Sequence, residues 1–123
     1  MAFAKKMQFT STDKMDEVVL KTIGHFTIYK NEVYSMGIFV EENERGNGFA
    51  RRMMNVMLEE WCERGDYDPS RTLYIDADAS GGFWDHIGMV PNPDLDDKSV
   101  PQYGYEKCIT VASLDNYLNF RSL

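Results

Sequence analysis

Residues 44–54 read ERGNGFARRMM, with Gly46, Gly48 and Ala50 at alternate positions, Arg45 before them and Arg51 and Arg52 behind. Residues this small let another molecule approach the backbone with no side chain in the way. The apolar run Val33 to Val40 precedes them, and from Gly48 the apolar spacing becomes helical. A strand that feeds a glycine turn at a helix start is an anion cradle, because the first-turn N–H groups are free and the helix dipole is positive there. Arginines crowded into that first turn are unfavourable by a few tenths to ~1 kcal/mol each, a cost that a bound pyrophosphate offsets. Without a ligand, the same residues make a glycine turn flanked by solvated arginines.

Two familiar phosphate loops are excluded by residue type. A Walker loop needs Gly-Lys-Ser/Thr after its glycines, and no lysine stands between Lys30 and Lys98. A dinucleotide fingerprint wants Gly or Ala where Arg51 stands, and a longer doubly wound sheet than 123 residues build.

Proton-accepting groups are the second chemical feature. In TLYIDADA (72–79), Asp76 and Asp78 alternate with Leu73, Ile75 and Ala77, so both carboxylates share one face of a strand expected to be buried. Buried carboxylates are rare unless paired or functional. Glu32 sits in the polar stretch Lys30-Asn31-Glu32, and Asp94, Asp96 and Asp97 form an acidic loop able to attract a cation. His25 and His86, with Cys62 and Cys108, have no metal-site spacing.

The elements that position these groups are readable from periodicity. Short apolar and β-branched runs at 3–10 and 17–30 predict strands, and YKNEVYSMGIFVEE predicts a hairpin turning at Lys30-Asn31-Glu32. Ala50, Met54, Met57, Leu58 and Trp61 share one face of a helix whose stop is Arg64-Gly65. A strand at 72–79, a short helix or turn at 81–89, a loop at 91–104 and a final strand at 105–114 complete the reading. Strands first, then strand–helix–strand–helix–strand, indicate a mixed α/β or α+β sheet packed with helices, in a single domain over residues 1–123. Thirteen basic against twenty acidic residues, net −7, argue against a nucleic-acid partner and are compatible with a cationic substrate. The apolar start is too short for a signal peptide, no segment is long enough to span a membrane, and two distant cysteines suit a reducing compartment. A soluble, cytoplasmic protein is the expectation.

Arg45-Gly46-Asn47-Gly48-Phe49-Ala50 matches the Arg/Gln-x-x-Gly-x-Gly/Ala signature of the GNAT superfamily of N-acetyltransferases, and VYSMGIFV stands where that family has its fourth strand. TLYIDADA and GGFWDHIGM resemble the family's fifth strand and its terminal Phe/Leu-Tyr-Glu-Lys-x-Gly-Phe pattern. The chain therefore resembles a GNAT domain over roughly residues 17–114. That resemblance implies a twisted sheet of about six or seven strands with flanking helices and a shortened N-terminal region. It implies acetyl-CoA as co-substrate, no metal, and transfer of acetyl to a primary amine (a polyamine, a small amine or a protein lysine) by direct attack in a ternary complex. Homodimers are frequent in that superfamily. Backbone amides of Ile38, Phe39 and Val40 are implied to bind the thioester carbonyl, and those from Arg45 through Gly46, Asn47, Gly48, Phe49 and Ala50 to Arg51 the pyrophosphate. Glu32, 13 residues before Arg45, has the offset of the family's catalytic glutamate, with Asp76 the second candidate base. Ser80 is implied as a partner of the cofactor thiol. Trp84 stands where the family has its acid tyrosine, and an indole donates a hydrogen bond but transfers no proton at neutral pH. That substitution and the short N-terminal region keep a second reading open, a non-catalytic acyl-CoA-binding sensor or partner module.

Overall fold

The computed structural model describes residues 7–76 and 82–122. Seven strands are present: β1 (Met7–Ser11), β2 (Met15–Leu20), β3 (Gly24–Lys30), β4 (Tyr34–Val40), β5 (Thr72–Ile75), β6 (Val90–Pro91) and β7 (Lys107–Thr110). Three α-helices accompany them among these residues, α1 (Phe49–Arg64), α2 (Phe83–His86) and α3 (Val111–Ser122). The strands hydrogen-bond in the order β1-β2-β3-β4-β5-β7-β6, with β4 and β5 parallel and the β1-β2, β2-β3, β5-β7 and β6-β7 pairs antiparallel. This is the mixed α+β sheet that the sequence predicts. Two compact units divide the chain within β4, one made of residues up to Lys30 with Gly37–Tyr67, the other of Asn31–Met36 with residues from Asp68 onward.

In the first unit, β2 buries Asp16, Val18 and Leu20, and the register Val18↔Phe26 and Asp16↔Ile28 sets β3's buried residues beside them. Helix α1 packs on β1, β2 and β3 and buries Met53, Met54, Met57, Leu58 and Trp61. Met53 joins the predicted face, while Ala50 is half-buried. The helix stops at Gly65, whose φ of 76° is the left-handed conformation glycine adopts without strain. Asp66 N–H then bonds back to the Trp61 carbonyl at 2.8 Å, closing a Schellman cap.

A charge lies inside this core. Asp16, 2% exposed, accepts hydrogen bonds from Lys30 Nζ (2.8 Å), Trp61 Nε1 (2.8 Å) and the Ser11 hydroxyl. Burial alone would raise its pKa. The bonds from Lys30, Ser11 and Trp61, with the Lys30 charge, outweigh that and hold it below the usual carboxylate range.

In the second unit, β5 lies between β4 and β7, and Leu73 and Ile75 are buried with Ile109. Trp84, Ile87, Met89 and the α3 residues Val111, Leu114 and Leu118 are buried in the same unit. Two sequence expectations are corrected here. The strand expected over 105–114 ends at Thr110, and the chain turns directly into α3. Thr110 caps that helix, its hydroxyl accepting from Ser113 N–H at 3.1 Å, and Val111, Leu114 and Leu118 form the helical stripe. The strand expected over 72–79 ends at Ile75, the last residue of its ladder to β7, so Asp76 falls in a bend beyond the sheet and is exposed rather than buried.

Candidate functional site

The glycine loop is built on backbone geometry. Gly46 and Gly48 both adopt left-handed φ values, 86° and 78°, which L side chains rarely tolerate. A Cβ placed at either would meet no atom of the described residues within 4 Å beyond its chain neighbours, so the space it would enter is open. A single 3-10 turn at Glu42–Glu44 leads into it. Two side-chain bonds then fix the loop: Arg45 Nε donates to the Val40 carbonyl (2.9 Å), and Asn47 Nδ2 donates to the Glu44 carbonyl (3.2 Å). Arg45 thus ties the loop to the end of β4, a use of that side chain that the charge pattern did not predict.

Helix α1 begins at Phe49, and the bond from Arg52 N–H to the Gly48 carbonyl (3.2 Å) opens its ladder. The N–H groups of Ala50 and Arg51 precede that bond, no side chain caps the helix, and no acidic residue occupies its first turn. Arg51 Nε is buried without a hydrogen-bond partner. A buried guanidinium N–H left unmatched is costly unless an anion meets it. Open space, free donors and an unmatched guanidinium N–H together suit a polyphosphate.

The strand leading to the loop has a defined phase. Glu41 N–H donates to the Ile23 carbonyl (2.7 Å), and the Phe39 carbonyl oxygen lies 2.1 Å from where a Cβ on Gly24 would stand. Odd-numbered residues of β4 therefore turn their polar backbone groups towards β3, and Ile38 and Val40 turn theirs to the opposite edge. Of the three amides the resemblance implied, the Phe39 amide faces the sheet. Its side chain is 42% exposed and stacks on His25 at 5.8 Å between centroids. The parallel ladder to β5 consists of Tyr34↔Leu73 and Ser35↔Tyr74 and stops before Ile38.

The remaining candidates lie in the second unit. Glu32 is exposed in the 31–33 turn. Asp76 is exposed, and its carbonyl accepts from Glu106 N–H at 3.3 Å. Trp84 is 6% exposed and meets Phe83 edge-on at 5.0 Å. No hydrogen bond joins Glu32, Asp76 or Trp84 to one another among the described residues, and Ser80 lies outside those residues.

Sequence reasoning missed the organiser of the 92–105 loop. Asn92, 5% exposed, donates from Nδ2 to the carbonyls of Gln102 and Tyr105, both at 2.9 Å, and its Oδ1 accepts from Asp94 N–H at 3.0 Å. The pattern Pro-Asn-Pro marks a turn but not a buried amide. Beside this loop, the Tyr74 and Tyr105 rings tilt against each other at 5.6 Å. Burial, with Cys108 and Asp94 nearby, pushes the Tyr74 hydroxyl above its ordinary range.

No protein-family model matches the chain, and no curated protein sequence matches it. Solved structures do. Mutant forms of the spermidine/spermine N-acetyltransferase SpeG from Vibrio cholerae superpose with a TM-score of 0.54 at 15% identity, over 84% of this chain and 70% of that one. A chimera of Vibrio cholerae spermidine N-acetyltransferase SpeG with hSSAT gives 0.53 at 15% identity, over 87% and 74%. RimL, a ribosomal alpha-N-protein acetyltransferase in complex with coenzyme A, gives 0.52 at 13% identity, over 81% and 64%. At such identities the likeness establishes the fold.

Proposed function

We propose that this chain, whose fold is that of the GNAT acetyltransferases, is an acetyl-CoA-dependent N-acetyltransferase acting on a primary amine in a reducing, intracellular setting. The observation that carries this reading is the open left-handed loop at Gly46 and Gly48 with the unmatched Arg51 Nε behind it. The N–H groups of the loop and of the first turn of α1, with Arg51, hold the pyrophosphate. Acetyl-CoA supplies the acetyl thioester. The N–H groups of Ile38 and Val40, turned away from β3, are the donors that this reading assigns to the thioester carbonyl oxygen as it gains charge.

An alkyl amine with a pKa near 10.4 is neutral in only about one molecule in 2,500 at pH 7. A carboxylate that takes its proton is therefore useful, and Glu32 and Asp76, both exposed, are the candidates. As the new C–N bond forms, the C–S bond breaks and the sulfur leaves as a thiolate. A thiol of pKa about 8.5 leaves without a full proton, so Trp84 is not required to act as an acid.

Acetyl-CoA is expected to raise the melting temperature. At a hundred times Kd the gain is about 2.7 kcal/mol. Gly48→Glu, which sets a carboxylate at the open cradle in a strained conformation, is expected to abolish the shift. No stabilisation of the wild type at millimolar acetyl-CoA ends the proposal. Release of free CoA thiol across a panel of amines then separates enzyme from binding module. Stabilisation without turnover on any amine is the outcome expected of the module, a reading favoured by the buried Trp84 at the acid position.

A further inference from the structure

We propose that β1 is a self-association edge, through which two copies of this chain pair antiparallel about a two-fold axis at Phe9. The inference goes beyond the acetyltransferase reading and does not depend on it. The partner is a second copy, and the groups that join the two are chiefly backbone.

Strand edges expose unpaired N–H and C=O groups, and proteins usually blunt them. The β6 edge is two residues long and carries Pro91, which has no N–H to offer a neighbouring strand. The β1 edge, Met7–Ser11, has five residues with no proline, glycine or charged side chain, and its register to β2 runs without a bulge. The phase of that strand follows from its turn. Thr12 N–H donates to the Met15 carbonyl at 2.8 Å, so Thr10↔Glu17 and Gln8↔Val19, two and four steps along the same register, are the hydrogen-bonded pairs. Met7, Phe9 and Ser11 therefore turn their backbone N–H and C=O groups away from β2. No strand among the described residues meets them there.

Those residues are spaced symmetrically about Phe9, which a two-fold pair requires of a self-complementary edge. With Phe9 opposite Phe9 of the second copy, the two residues exchange both of their backbone bonds. Met7 of each copy does the same with Ser11 of the other, so every outward N–H and C=O of β1 gains a partner. The side chains agree with this register. No charge on β1 confronts its own copy, and Gln8 falls opposite Thr10 of the second copy, an amide and a hydroxyl that are both exposed. The Phe9 rings meet on the face covered by α1, where each is already held. Arg64 lies over that ring, its guanidinium 4.5 Å from the centroid, and pairs with Glu60 at 3.5 Å. A ring fixed before association loses little further freedom on pairing. An extended segment of another protein would find the backbone bonds but not the symmetry.

A pair of five-residue strands buries less than a standard interface of about 1,600 Å², so the dimer is expected to be weak and concentration-dependent. The experiment is sedimentation equilibrium of the full-length protein from about 1 to about 300 μM, with urea unfolding to show that each variant is folded. The wild type is expected to pass from monomer to dimer over that range. Gln8→Lys with Thr10→Lys sets like charges opposite each other at both ends of the pair and is expected to weaken association about tenfold or more. Gln8→Glu with Thr10→Lys sets opposite charges there and is expected to associate within about threefold of wild type. Met7→Pro removes one outward donor and leaves the β1–β2 ladder whole. It is expected to weaken association about tenfold, and it decides the matter if a double variant fails to fold. A wild type that stays monomeric throughout overturns the proposal, as does association that the first double variant, when folded, or Met7→Pro leaves unchanged. A folded second double variant that associates as weakly as the first overturns the register. No acetyl-CoA is present in these samples, so the outcome is independent of the cradle.

Discussion

The glycine loop and the end of β5 hold their candidate residues in opposite ways. In the loop the proposed parts are backbone groups on neighbouring residues, from Arg45 to Arg51, and their geometry depends on two left-handed glycines. Around β5 the candidates are the side chains of Asp76 and Trp84, with Glu32 from the turn before β4 in the same unit. A backbone site is written in a short window and tolerates wide change in side chains. A side-chain site is assembled by topology and fails one residue at a time.

That contrast is testable first where the backbone of the first unit is tightest. A Cβ on Gly24 would stand 2.1 Å from the Phe39 oxygen and 3.0 Å from the Val40 Cα, both backbone atoms unable to give way cheaply. Gly24→Ala is expected to cost about 3 kcal/mol or more in urea unfolding, the upper end for overpacking. Gly37→Ala is the control, because its Cβ would meet only Tyr29 Cε2 at 3.7 Å, an ordinary contact. Equal costs for the two would show that the close approach at Gly24 does not hold the strand that leads to the loop.

A comparable loss is expected from Lys30→Met, which leaves the buried Asp16 without its cation and costs about 3 kcal/mol. The pH dependence has a definite sign. The folded pKa of Asp16 lies below 3.8, so the unfolded chain binds more protons in that range and stability rises with pH. The contribution is fully present above pH 4 and is lost as pH falls through the folded pKa. Asp16→Asn should therefore flatten the acid limb of a stability–pH curve. An unchanged limb would mean that Asp16 is not held below its ordinary pKa.

The side-chain region is sharpened by Glu32→Gln and Asp76→Asn. Loss of a general base costs on the order of 10²-fold or more in turnover, about 2.7 kcal/mol. One of the two is expected to show that loss, with the other within a few-fold of wild type. Similar small effects in both would remove carboxylate base catalysis from the mechanism.

The same division explains what could be read from the sequence. Gly46, Gly48, the α1 stripe and the Gly65 stop are local patterns, and the structure has each of them in the expected element. Asp76 was expected on a buried face because alternation shows which residues share a face but not where a ladder stops. Helix α3 was missed because KCITVASL reads as a β-branched run, although Thr110 and Ser113 carried the cap signal. The role of Asn92 needed the partners that only folding brings together.

The smallest expected effect concerns strain rather than contact. Thr22 adopts φ 65°, the one non-glycine positive φ among the described residues, in the turn between β2 and β3. A β-branched residue there is strained by about 1 kcal/mol or more, whereas asparagine enters the left-handed region readily. Ile23 closes this turn with a bond from its N–H to the Leu20 carbonyl (3.0 Å), and its own carbonyl receives Glu41 N–H (2.7 Å), just ahead of the 3-10 turn that leads to the glycine loop. Thr22→Asn is expected to stabilise the protein by up to about 1 kcal/mol in urea unfolding. If the acetyl-CoA melting shift survives that change, the strain is incidental and the loop geometry stands on Gly46, Gly48 and the Arg45 bond to Val40. If the shift shrinks while stability rises, the strained turn helps to hold β4 in phase, and the cradle reaches back past its glycines to residue 22.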